Sequence, residues 1–266
     1  MFVQEFREKS NLGIGSLAIL INIEFKAFWR NKNILITQVV QPTIYFLFLV
    51  MGLGGSLGTI TYYNMDIQYQ SYALIGVLGL LIISQMTQTI YRTTIDKRWG
   101  LLSLKFLSGV KPFYYMIGMS TYPAIGFTVQ SLLLYLLALP FHLEIGFIKF
   151  VLVILIGIIS LLFWTSIGIM ITTYINDYQK RDTIIAMMML PLGFSAPTFY
   201  LAENVPHYIN IVASINPLTY QVNAMRNILF GIHGNLSLAL TIGFTALSLM
   251  TGVWVLKRSD LVIKEN

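Results

Sequence analysis

The chain has 266 residues, of which 17 are Lys or Arg, 11 are Asp or Glu and 56% are hydrophobic. A soluble domain spends about a quarter of its residues on charge, so a chain with 11% charge and a mean hydropathy of +0.72 is that of an integral membrane protein. Zero cysteines exclude disulfides, thiolate metal ligation and Cys nucleophiles, and the three histidines, His142, His207 and His233, are too scattered for a histidine metal site.

At the start of the chain, Glu5, Arg7, Glu8 and Lys9 leave no pattern of a cleavable signal peptide. Residues 13–31 then place Ile14, Leu17, Ile21, Phe25 and Phe28 at helical spacing, with Asn22, Lys26 and Arg30 on another face. This predicts an amphipathic helix lying on the inner leaflet; the plainer alternative is a solvated helix packed on a soluble partner.

Further along, charged residues bound seven uncharged windows, each long enough for the roughly 20 apolar residues of a membrane-crossing helix. Residues 204–225 are unsuited to lipid, because Pro206, Pro217, four asparagines and His207 crowd polar groups and lost donors into one stretch. That stretch reads as short helices at the surface, dipping inward. Six spans remain, over residues 34–56, 71–91, 113–139, 148–174, 183–201 and 234–256. With both termini inside, 15 of the 17 basic residues fall in cytoplasmic pieces, leaving Lys149 and Arg226 outside. The positive charge therefore reads as topology and not as a nucleic-acid surface. Neither a repeat nor a linker interrupts the chain, which predicts one domain over 1–266: a cytoplasmic segment 1–33, a membrane domain 34–256 and a tail 257–266.

No span interior carries an ionisable side chain, which disfavours a proton-coupled pump. The chain also lacks any Gly-Lys pair, so it holds no phosphate-binding loop, and Gly52, Gly54, Gly55 and Gly58 read as a flexible helix end. Uphill transport would need energy from another polypeptide. The loop 92–112 offers a place for one: Lys97, Arg98, Lys105 and Lys111 alternate with Trp99, Leu101, Leu102, Leu104, Phe106 and Leu107. So dense an apolar surface needs cover, from lipid headgroups or from a protein groove. Within the spans, Gln38, Gln41, Gln85 and Gln88 sit at similar depth on consecutive helices, as interhelical hydrogen-bonding groups or as the lining of a substrate entrance. Pro42, Pro123, Pro191 and Pro197 should kink their spans.

The stretch VPHYINIVASINPLTYQVNAMRNILFG, residues 205–231, resembles the signature before the last span of type-2 ABC exporter permeases, the group of daunorubicin-type and nodulation-factor exporters. The matching residues are Val205, Pro206, Asn216 to Tyr220, Ala224, Arg226 and Gly231. The resemblance implies an all-α membrane fold with re-entrant helices at the outer surface that help close the pathway. It further implies a second permease copy or a related permease, and cytoplasmic ATPase subunits that carry the ATP and Mg, leaving no cofactor on this chain. Asn216, Pro217, Tyr220 and Arg226 take the outer-gate role. Lys97, Arg98, Trp99, Gly100 and Lys105, with Glu24 and Arg30 of the first helix, take the ATPase-coupling role. The loop departs from the family where Gly100 precedes Leu101, Ser103 stands in place of a glutamate and Gly109 replaces a proline. From the residues alone, Asn216-Pro217 starts a helix, Tyr220, Asn223 and Arg226 share a face, and Arg226 pairs with a carbonyl or an acid, Glu203 being the nearest. Two other classes stay open. A membrane-embedded transferase would have to use Asp66, His142, Glu144, Glu203 or His207, and an accessory or immunity-type protein would keep the fold without transport.

Overall fold

The computed structural model describes residues 12–259, except 142, 144, 176 and 235 and the side chains at 32–35 and 204. Arg7, Lys9, His142, Glu144, Lys264 and the tail beyond 259 thus lie outside the described residues. The chain runs through helices α1 (Gly13–Arg30) and α2 (Lys32–Ile44), a π-helical segment (Tyr45–Met51) and α3 (Gly52–Leu57). Strands β1 (Thr59–Tyr62) and β2 (Met65–Gln68) follow, then α4 (Tyr69–Arg98), α5 (Leu101–Leu107), α6 (Pro112–Met119) and α7 (Thr121–Ala138). The last five helices are α8 (Phe147–Thr172), α9 (Tyr178–Ser195), α10 (His207–Ile215), α11 (Pro217–Phe230) and α12 (Leu236–Arg258).

Among the described residues, five helical runs are long and apolar enough to cross a membrane: Ile36–Leu57, Tyr69–Arg98, Pro112–Phe141, Phe147–Thr172 and Leu236–Arg258. They coincide with five of the expected spans to within a few residues, apart from the seven-residue extension of α4 to Arg98. The remaining expected span, 183–201, is not among them. Helix α9 opens on Lys180, Arg181 and Asp182 and stops at Ser195, so its uncharged helical part, residues 183–195, is only about 20 Å long.

One small element departs from an all-helical plan. β1 and β2 pair antiparallel, with Tyr62 opposite Met65, through a turn in which Tyr63 and Asn64 both have positive φ. This two-residue geometry matches strand twist, and Asn suits it better than Tyr does.

Helix α4 is the axis of the fold, with most of its apolar window inside the protein. It packs against the first span, α7, α8, α9 and α11. Its glycines set the closest approaches. A Cβ at Gly76 would stand 1.9 Å from the Thr198 carbonyl oxygen, and one at Gly79 would stand 2.7 Å from the Val222 side chain. α10 and α11 fold back at Asn216, so that α11 runs along α4 from Val222 beside Gly79 to Arg226 beside Tyr72.

Helix α1 has three faces where the sequence suggests two. Ser16, Leu20, Glu24 and Phe28 are buried, Leu20 against Gly118 and Phe28 against the Tyr122 ring at 5.2 Å. Of the expected apolar face, only Phe28 is buried, while Ile14, Ile21 and Phe25 stay exposed at 74%, 40% and 48%. Lys26 and Arg30 occupy the third face, also exposed. A stripe at four-residue spacing drifts around the helix, which brings the acid Glu24 inside.

Gly76→Ala should cost about 3 kcal/mol, because the obstructing atom is backbone and cannot swing aside. Gly55→Ala, with open space around it, should be neutral; thermal unfolding of both variants in detergent tests the contrast.

Candidate functional site

Two ends of the bundle concentrate polar chemistry. At the end bearing the β-hairpin, the chain leaves α9 and runs non-helically through residues 196–200. Such backbone survives at membrane depth only where protein groups replace water. Arg226, Tyr72 and Tyr69 supply them. The Arg226 guanidinium donates to the carbonyls of Pro197 (2.7 Å), Thr198 (2.8 Å) and Tyr72 (3.2 Å), and it lies 3.4 Å from the Tyr72 ring centroid. The Tyr72 hydroxyl donates to the Tyr200 carbonyl and the Tyr69 hydroxyl to that of Phe199, both at 2.8 Å. Arg226 is fully buried, and its partners are carbonyls. Glu203 is exposed and forms no ion pair with it among the described residues, so of the two sequence alternatives the carbonyl is the one realised.

Asn216 does two jobs from one buried position. Its Oδ1 accepts from the Leu218 N–H (2.9 Å) and caps α11, with Pro217 at the first helical position. Its Nδ2 donates to the Leu192 carbonyl and the Ser195 hydroxyl, each at 2.8 Å, and ties α11 to the end of α9. Thr219 and Tyr220 donate to the Ala213 and Ser214 carbonyls, closing the C-terminus of α10. Tyr220 therefore turns toward α10 and toward Phe244 of α12, at 5.9 Å between rings, whereas Arg226 turns toward α4. The expected common face of Tyr220 and Arg226 fails because three-residue steps lose about 60° each on a helix of 3.6 residues per turn.

Midway through the bundle, Gln85 donates to Gln130 (2.9 Å), and Gln130 donates to the backbone carbonyl of Gln38 (2.8 Å). Pro42 explains the second bond: four residues after Gln38, it has no N–H to give that carbonyl. Gln130, which sequence reading passed over, provides the missing donor. The Gln38 and Gln85 side chains fill the space a Cβ would take at Gly126, about 3 Å from that position. Gln41 donates to Tyr45 (3.1 Å) and accepts from Ser84 (3.4 Å). Gln88 stays half-buried on the same side of α4 as Ser84.

At the opposite, basic end, Gly100 at φ +70° turns the chain from α4 into α5. Leu102 and Phe106 pack inward with Tyr115, Met116 and Leu256. Trp99, Leu101, Leu104 and Leu107 point out, 72%, 40%, 58% and 49% exposed, and Ile95 and Arg98 join them. Two lysines expected on this surface are used inside. Lys97 is buried and donates to the carbonyls of Thr172 (3.3 Å), Thr173 (2.6 Å) and Ile175 (3.1 Å), a cation at the negative end of α8. Lys105 pairs with Asp96, which also accepts from the Tyr115 hydroxyl at 3.0 Å. Glu24 is likewise internal, 2.6 Å from the Arg92 guanidinium, which covers the Tyr122 ring at 4.3 Å. Burial pushes the Glu24 carboxyl above its ordinary pKa, against the pull of Arg92. These corrections share a cause: long basic side chains beside helix ends find carbonyls and carboxylates before they find solvent. Arg30 and Arg98 remain exposed, Arg98 lying over Tyr178 at 4.3 Å. Among the described residues no cluster of three or more His, Asp or Glu could hold a metal.

An axial helix wrapped by apolar spans, with polar groups spent on helix breaks, defines a multi-pass helical membrane protein. Residues 16–230 match the ABC-2 type transporter family, and the chain belongs to it. It is the membrane permease component of an ABC transporter, a transport subunit and not itself the ATPase. Members of the family normally pair with ABC ATPase subunits. Among curated proteins, no sequence matches the chain.

Arg226→Lys should lose about 3 kcal/mol of stability, nearly as much as Arg226→Gln, since a single ammonium nitrogen replaces neither the separate Nη1 and Nη2 donors nor the flat guanidinium face over the Tyr72 ring; denaturant unfolding in detergent measures both. Gln130→Leu should cost about 1–2 kcal/mol in the natural chain. In a Pro42→Ala background the Gln38 carbonyl regains a helical donor, and the cost should shrink by about 1 kcal/mol in a double-mutant cycle.

Proposed function

We propose that this permease forms half of an export pathway, crossing the membrane six times as one domain with both termini in the cytoplasm. α9 and the backbone clamped by Arg226 supply the crossing that α9 alone is too short to make. The placement of 15 of 17 basic residues on one side supports that orientation. α10 and α11 are then re-entrant helices at the outer mouth, and Asn216, Pro217, Tyr220 and Arg226 hold that gate in place.

The exposed apolar face at the basic end carries the reading. Ile95, Trp99, Leu101, Leu104 and Leu107, rimmed by Arg98, form a surface that water does not favour and a cytoplasmic ATPase would cover. Two ATPase subunits, each with its own ATP and Mg, dock there and near Arg30. Lys97, Lys105 and Glu24 act behind the surface, tying α5 and α1 to α4 and α8 so that docking motion reaches the spans. A second copy, or a related permease, completes the pathway. On α4, Leu80, Ser84, Gln88 and Tyr91 recur every three or four residues as a half-exposed stripe between the first span and α9, and this stripe lines the cargo's way. Its mixed, uncharged character favours drug-like, peptide-like, lipid-like or glycan cargo over small ions. Inner-leaflet lipid covers the apolar face of α1.

The test is co-purification from native membranes. The natural chain should bring down an ABC-type ATPase that hydrolyses ATP, while Trp99→Ala combined with Leu104→Glu should lose both by about tenfold, the factor for one lost anchor. A correctly inserted chain that carries no ATPase, or a variant that keeps it, would count against the proposal.

A further inference from the structure

Between α1, α6, α7 and α8 lies an open-sided groove of about 480 Å³, walled by Ile21, Ile117, Thr121, Ala124, Thr128 and Ile158. Its floor owes its depth to small side chains. Thr121, Ala124 and Thr128 follow one another at three- and four-residue steps on α7, opposite the branched Ile158 of α8. From Ile117 to Val129 it runs about 18 Å along the helix, slightly more than half of a hydrocarbon core about 30 Å thick. One end of the groove is set by the exposed Ile21 of α1, and another exposed side of the same helix carries Lys26 and Arg30 beside Ile19 and Ile23.

We propose that this groove is a specific site for one anionic phospholipid of the inner leaflet. An acyl chain lies along Thr121, Ala124 and Thr128, and the phosphate sits at the level of Lys26 and Arg30. Each part follows from an observation. The groove opens sideways from membrane-crossing helices, so hydrocarbon and not water is its medium. Its length is that of one leaflet. The exposed side of α1 mixes Ile19, Ile23 and Trp29 with Lys26 and Arg30, so the helix lies in the interface with the lysine and arginine stems among apolar residues and their charges reaching headgroup depth, where an anionic headgroup binds better than a zwitterionic one. The site would fasten α1 to the bundle from its lipid side, as the Glu24–Arg92 pair fastens it from within. This deepens the lipid contact proposed above but stands apart from ATPase docking.

The full chain, reconstituted in vesicles of phosphatidylethanolamine and phosphatidylglycerol, can be photolabelled with traces of phosphatidylglycerol or phosphatidylcholine bearing a diazirine in mid-chain. Adducts should concentrate on residues 117–129 and 158–162, with phosphatidylglycerol preferred over phosphatidylcholine. Ile21→Trp, which fills the groove from an exposed position, should cut this labelling by about tenfold, and so should Ala124→Phe. Lys26→Glu with Arg30→Glu should abolish the headgroup preference and leave phosphatidylcholine labelling unchanged. Should Ala124→Phe fail to fold, Ile21→Trp still decides. Equal labelling of the exposed side of α12 at Ile242, Leu247 and Met250, or no headgroup preference, would reduce the groove to ordinary lipid contact and overturn the proposal. Efficient disulfide formation between copies carrying Ala124→Cys would overturn it too, by giving the groove to a second chain. ATPase co-purification should persist in Ile21→Trp, which keeps a failure here distinct from a failure of the permease–ATPase reading.

Discussion

A carbonyl freed inside a membrane has no water to turn to, and at four places in this protein a side chain from another helix supplies the donor. Arg226 covers Pro197 and Thr198, Asn216 covers Leu192, Gln130 covers Gln38, and Lys97 covers Thr172, Thr173 and Ile175. The donors are strong or multivalent where several acceptors converge, and single amides where one carbonyl is left. Unpaired groups at these depths cost several kcal/mol each, so the kinks and the side chains that repair them belong to one design. Removing either member alone is worse than never having had the pair.

This division of labour decides where charge is available for function. Most bases near the loop are spent inward, leaving an exposed surface, the one proposed for ATPase docking, that is largely apolar with Arg98 at its rim. The two ion pairs, Glu24 with Arg92 and Asp96 with Lys105, lie close behind that surface and join α1, α4 and α5. In the proposed coupling, motion imposed on α5 passes through groups whose separation is expensive, because partly buried partners cannot be replaced by solvent. Rigid attachment at the base and kinked spans above it suit a subunit that is moved by another.

The membrane class, five long spans and the special character of 204–225 are legible in the sequence because they rest on sums over many residues. The charge bias is legible for the same reason. What the sequence hides is pairwise. Nothing about Gln130 marks it until Pro42 is seen to stand beside it in space. Lys97 looks like any loop lysine, and only the end of α8 shows why it is buried. The inward turn of Glu24 escapes a reading by apolar periodicity, since an acid at four-residue spacing from Leu20 and Phe28 counts as polar face until its arginine appears. Tyr220 and Arg226 mislead in the opposite direction: sequence proximity suggests a shared face, and helical geometry separates them.

The brevity of α9 has a consequence for biogenesis. A nascent chain offers Tyr178–Ser195 to the insertion machinery well before Arg226 has been synthesised, so the carbonyls of Pro197 and Thr198 have no guanidinium waiting for them. On the proposed six-span topology, that segment lingers at the protein-conducting channel or the bilayer edge and seats only when α11 arrives to complete it.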